Sequence, residues 1–195
     1  ESINTQKMGS FSPPETYPKP DVQKRKPLHL VTTYGQVQIH TSTFRGSFSV
    51  VLSEALRSAG LGSQVLIAQF LRGGVNQGPN GAINLCGRLE WLRPAIETCL
   101  QEKILEEHLS LKRKYEEKAI KELWEFCKSR LIEKKIDKIV LDEIGIAISL
   151  GFIEENDLIF MINNRPSSTD IILTGPLIPP KVIEMADQIT ELRCN

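Results

Sequence analysis

Two acidic residues, Asp142 and Glu143, close the apolar run Lys138-Ile-Val-Leu-Asp-Glu-Ile144. Such a run reads as a buried strand. Carboxylates at the C-terminal end of a strand in an open α/β sheet face the crevice where ligands bind, so these two are the most credible charged site residues in the chain. A second stretch, residues 37–60, reads as a short strand, a tight turn of small residues and an amphipathic helix. Phosphate-binding loops have this arrangement, because backbone N–H groups and the helix dipole converge on anionic oxygens. A lysine normally adds charge there, and a Ser or Thr hydroxyl holds magnesium. Here the position suits that chemistry and most of the residues do not, since no lysine stands between His40 and Gly60.

Several elements must position these groups. Val51, Leu52, Ala55, Leu56 and Ala59 recur at helical spacing, with Ser53, Glu54, Arg57 and Ser58 opposite, and Gly60 and Gly62 end the helix. Residues 28–40 alternate apolar and polar around Gly35, which predicts a hairpin or a strand preceded by a turn, with Val37, Ile39 and Thr41 sharing a face. Residues 63–71 are too continuously apolar for a half-exposed strand and suit a parallel sheet covered on both faces. Residues 75–89, rich in Gly and Asn, predict a long loop. Residues 94–135 predict one long charged amphipathic helix or two in series, with Trp124 in the core. Residues 171–175 and 188–193 read as strands, and Pro179 and Pro180 open a short helix through 183–186. Strands alternating with helices imply a mostly parallel, doubly wound α/β sheet flanked by helices.

Composition bounds the partners. Lys and Arg number 24 and so do Asp and Glu, so the 195 residues carry no net field toward nucleic acid or an anionic membrane. The four cysteines, Cys86, Cys99, Cys127 and Cys194, show no metal-site spacing and read as reduced cytoplasmic thiols. No run is long enough to span a membrane. Residues 1–27 hold five prolines among polar residues and predict a disordered tail, leaving 28–195 as one domain. The basic cluster Lys24, Arg25, Lys26 in that tail reads as solvated.

Taken in order, residues 37–60, Gln69-Phe-Leu-Arg-Gly73, Leu141-Asp-Glu-Ile144, Arg165-Pro166, Thr174-Gly175 and residues 186–193 resemble the corrinoid adenosyltransferases, and look like a divergent branch associated with cyanobacteria. The resemblance spans roughly residues 37–193. It implies a P-loop NTPase-like fold and an ATP-dependent transfer of the 5′-deoxyadenosyl group to a reduced, cob(I)alamin-type corrinoid. The family loop reads about Gly-Asn-Gly-Lys-Gly-Lys-Thr-Thr, and it falls here on residues 42–49. By that correspondence Ser42, Thr43, Arg45, Gly46, Ser47 and Ser49, with Arg72, Thr174 and Gly175, are the expected nucleotide-binding residues. Asp142 and Glu143 are the expected magnesium-holding pair. No residue is assigned a catalytic role.

The departures are chemical. Arg45 keeps a charge at the first lysine, Ser47 replaces the second, Phe48 replaces the metal-holding threonine, and Pro176 stands where an arginine follows Thr-Gly. Loss of the lysine contact costs about 1.5–3 kcal/mol, roughly ten- to a hundredfold in affinity. The family's aromatic corrinoid segment finds only Trp91 in residues 89–93. The sequence therefore predicts a protein that binds a nucleotide, another anion or a protein partner, with weakened or lost catalysis. The alternative is an active ATP:corrinoid adenosyltransferase, with ATP, magnesium and a corrinoid as ligands. The resemblance also implies a homodimer.

Overall fold

The computed structural model describes residues 34–46, 48–74, 78–97, 99–100 and 110–193, all within one compact unit that runs from Thr32 to Asn195. The expected tail, the strand-like residues 28–33, Ser47 and Cys194 lie outside the described residues.

Seven strands form a single sheet in the order β3-β4-β2-β5-β6-β1-β7. They are β1 (Val37–Ser42), β2 (Val65–Gln69), β3 (Ile83–Leu85), β4 (Leu89–Leu92), β5 (Lys138–Asp142), β6 (Asp170–Thr174) and β7 (Gln188–Leu192). Every pairing is parallel except β3 with β4. Among the described residues the α-helices are α1 (Ser49–Gly60), α2 (Ser110–Ile132), α3 (Ile144–Ser149), α4 (Glu155–Asn163) and α5 (Pro180–Ile183), with a single 3-10 turn at Pro79–Gly81.

The continuous apolar runs have a simple cause. Successive strand side chains point to opposite faces, and both faces are covered. Val65, Ile67, Val140 and Ile172 pack on one face against Phe48, Val51, Ala55 and Ala59 of the α1 region. Leu66, Ala68, Ile139, Leu141, Ile171 and Leu173 pack on the other against α2, α3 and α4. Trp124 is buried there, edge-on to Phe70 at 6.1 Å, with its Nε1 donating to Asp157 at 2.6 Å.

Three expectations need correction. In α1 Leu56 is 44% exposed while Ser58 is buried, so the buried stripe is narrower and rotated toward Ser58. Residues 75–89 are not all loop, because β3 pairs antiparallel with β4 through a tight turn at Cys86 and Gly87, both at positive φ. Helix does not begin at Pro94, since residues 94–97 and 99–100 lie outside any helix and bond along the end of β2, Gly74 N to Ile96 O at 3.1 Å and Leu100 N to Leu71 O at 2.9 Å. The helical register reappears in α2.

Candidate functional site

Parallel strands end together, and the register sets their last residues side by side. Gln69 pairs with Asp142. One step past the Leu141–Leu173 pair, Asp142 meets Thr174, which itself pairs with His40. One step past Ala68–Leu92, Gln69 meets Arg93. Because Val140, Ile172 and Ile67 face α1, the residues two further along face the same way. A polar row, Arg93-Gln69-Asp142-Thr174-His40, therefore crosses the C-terminal edge of the sheet on the α1 side.

Hydrogen bonds run along this row. Thr174 Oγ1 donates to Asp142 Oδ1 at 2.5 Å, and Gln69 Nε2 donates to Asp142 Oδ2 at 2.8 Å. The Gln69 carbonyl accepts from Trp91 Nε1 at 2.9 Å and from Arg93 Nε at 3.0 Å. Arg72 Nε lies 3.8 Å from Asp142 Oδ2, beyond hydrogen-bond reach. Burial raises the Asp142 carboxyl above its ordinary range, and the neighbouring Glu143 charge adds to this. The hydrogen bonds from Thr174 and Gln69 and the charge of Arg72 act in the opposite sense. His40 is pushed down by burial and meets Phe48 edge-on, with ring centroids 6.4 Å apart.

Glu143 has a different partner. It is fully buried and sits at φ 60°, ψ 29°, a left-handed conformation that costs a non-glycine residue about 1 kcal/mol or more. Arg45 reaches it from the loop after β1. Nε donates to Oε1 at 2.7 Å and Nη2 to Oε2 at 3.0 Å, a two-pronged ion pair. The same guanidinium donates to the carbonyl of Leu100 and, at 3.4 Å, to that of Leu71. One side chain thus joins the loop, the end of β2, the 99–100 segment and the end of β5.

The turn after β6 closes against this knot. Gly175 has φ +105°, and a Cβ there would come within 3.0 Å of Glu143 Cα. Gly145 is more constrained, because its Cβ would meet Pro176 O at 2.4 Å and Leu177 O at 2.6 Å.

Other expected residues are placed as follows. Ser42 is buried, with its hydroxyl donating to the carbonyl of Phe44, while Thr43 and Ser49 are exposed. Gly46 has no positive φ, and an added Cβ would meet only the Phe44 ring at 3.7 Å. Phe48 is 5% exposed and packs with Val51, Ala55, Val140 and Ile172 as part of the core. Arg165 caps the end of α4 through Ile162 O at 2.8 Å and also bonds Gly35 O, at the opposite edge of the sheet. Among the described residues no group of three or more His, Cys, Asp and Glu is arranged to hold a metal ion.

Sequence reasoning missed Gln69, Trp91 and Arg93 as members of one network. The available signal was Gln69 itself, a polar residue inside the run Val-Leu-Ile-Ala-Gln-Phe-Leu71, which must find partners once buried.

The chain is similar in sequence to several known proteins. A corrinoid adenosyltransferase of Escherichia coli is 26% identical over 163 residues, covering 82% of this chain and 76% of that protein. One from Pseudomonas aeruginosa is 24% identical over 161 residues, covering 81% and 74%. An uncharacterized protein of Nostoc, all2391, is 25% identical over 168 residues, covering 82% of this chain and 44% of that longer protein. Residues 33–195 match the family described as ATP:corrinoid adenosyltransferase BtuR/CobO/CobP, and the chain belongs to that family.

Proposed function

We propose that this family member has turned its phosphate loop into a structural clamp and acts as a nucleotide-, anion- or partner-binding regulatory protein with weakened or lost adenosyl transfer. The observation that carries this reading is the Arg45–Glu143 pair. The one cation retained in the loop is committed to a buried carboxylate, and that carboxylate is one of the two expected to hold magnesium. Phe48, at the place of the metal-holding hydroxyl, is core and has no metal-binding atom. These residues do not fit a magnesium nucleotide held in the usual phosphate-loop manner. Electrostatic neutralisation of a leaving triphosphate, a large term in such a displacement, would lack its main groups.

The intact row Gln69-Asp142-Thr174 favours a second reading, an active ATP:corrinoid adenosyltransferase in which Asp142 still serves the metal. Calorimetry with ATP and magnesium, beside an assay for adenosylated product from reduced corrinoid, separates the two. The regulatory reading expects little or no product and no magnesium-dependent ATP heat. Micromolar magnesium-dependent binding that disappears in Asp142→Ala, together with product, would establish the enzyme. A cytoplasmic setting accords with the free thiols of Cys86, Cys99 and Cys127, and among the described residues no helix is long and apolar enough to cross a membrane.

A further inference from the structure

The outward face of α2 carries an ordered pattern of charge. Lys118, Lys121, Glu122 and Glu125 follow one another at steps of three, one and three residues, so they fall on one face of the helix, and each side chain is more than half exposed. They line an open cleft of about 1000 Å³ between α2 and the Pro79–Gly81 turn, where Pro79 and Phe126 supply apolar surface. Within the chain these charges are lightly held. Lys118 lies 3.9 Å from Glu122, Lys121 lies 2.7 Å from Glu117, and Glu125 lies 2.8 Å from Lys128. Exposed pairs of this kind contribute little and exchange partners readily. The bases of the cleft stand toward the N-terminus of α2, and Glu122 and Glu125 toward its C-terminus. That order is the reverse of one that offsets a helix dipole, so it does not serve the stability of α2 by itself.

We infer that this face is an interface for a second copy of the chain, in which two α2 helices lie antiparallel about a two-fold axis passing between Lys121 and Glu122. The occupant follows from the order of charge. Reversing the direction of α2 turns the Lys-Lys-Glu-Glu order of 118, 121, 122 and 125 into its complement. Lys118 then meets Glu125 of the second copy and Lys121 meets its Glu122, and the symmetry makes each contact twice. A parallel neighbour in the same register would set like charges together. The antiparallel one also opposes the two helix dipoles. Because the charges are exposed, the pair is of modest affinity and sensitive to salt. It is independent of what the C-terminal edge of the sheet binds.

The test is sedimentation equilibrium of the full chain, with circular dichroism to follow folding, on the native protein, on Lys118→Glu with Lys121→Glu, and on Glu122→Lys with Glu125→Lys. The native mass should rise with concentration to that of two chains, and the association should weaken as salt is added. Each double variant sets like charges together at all four contacts and should associate at least about tenfold more weakly. An equimolar mixture of the two double variants should recover the native affinity, because every contact then joins opposite charges. Damage to the fold of either variant would not be repaired by mixing. If a double variant fails to fold, the single variants Lys118→Glu and Glu125→Lys take the place of the pair, with the same recovery expected on mixing. A native chain that stays monomeric at high micromolar concentration overturns the interface and leaves the cleft to a different protein. Double variants that associate as the native chain does, or a mixture no tighter than its components, overturn it equally.

Discussion

At the scale of single residues, the asymmetry of the Arg45–Glu143 pair makes a quantitative claim. Glu143 has no exposed surface, whereas the Arg45 side chain is 28% exposed. Arg45→Met leaves a buried carboxylate unpaired, which costs about 3–5 kcal/mol. Glu143→Gln keeps the shape and leaves a cation that water can reach, so its cost should be clearly smaller. Urea denaturation of both variants checks this, and equal losses would mean that the pair contributes through packing alone. His40 gives a pH prediction. Burial lowers its folded pKa below the ordinary 6.5, so the unfolded chain binds more protons between the two values. The stability from neutral His40 is complete above pH 6.5 and is lost as pH falls through the folded value. The stability difference between the native protein and His40→Gln should shrink as pH is lowered from 7 to 5, and a constant difference would remove His40 from the acid response.

At the scale of elements, glycine separates contact from flexibility. Gly145 opens α3 against the carbonyls of Pro176 and Leu177, and Gly60 ends α1 with no atom within 4 Å of an added Cβ. Gly145→Ala should therefore push the β5 and β6 ends apart and destabilise by about 1–3 kcal/mol or more, through overpacking. Gly60→Ala should stabilise by about 0.4–1 kcal/mol, by restricting the unfolded chain. Thermal unfolding of the two variants should shift in opposite directions. Legibility follows the same division between local and distant constraint. The apolar runs announced β2 as a strand covered on both faces, β5 as a buried strand and β6 as a strand, since short apolar runs bounded by turn residues suit a parallel sheet. α3 was not legible, because Ile144, Gly145, Ile146 and Ala147 are buried in succession and leave no periodicity to tell helix from strand. β3 was hidden in a Gly- and Asn-rich stretch, where its three residues are mostly exposed. Asp142 and Glu143 were found by their place at a strand end, but their separate fates were not, because Arg45 reaches Glu143 across 98 residues of sequence.

At the scale of the whole molecule, the two margins of the sheet differ. On one side β3 is three residues long. On the other, β7 is five residues long, and the described residues leave its outer edge unpaired, with Ile189 51% and Leu192 42% exposed. A parallel edge strand without proline or lysine, exposed on both faces, offers free N–H and C=O groups to another chain. The chain also has zero formal net charge at pH 7, which removes the long-range repulsion that keeps such edges apart. Association should therefore be strongest near neutral pH and weaken as pH moves the net charge away from zero. Ile189→Lys places a charge on the edge while its aliphatic stem still covers the surface beside Ile39, the residue it pairs with on β1. The urea midpoint should move by no more than about 0.5 kcal/mol in stability, as for other surface changes. Light scattering at pH 7 should show association of Ile189→Lys setting in at a clearly higher protein concentration than for the native chain. If it begins at the same concentration, β7 is not the sticking edge, and the exposed Phe44 and Leu177 become the surface to alter next.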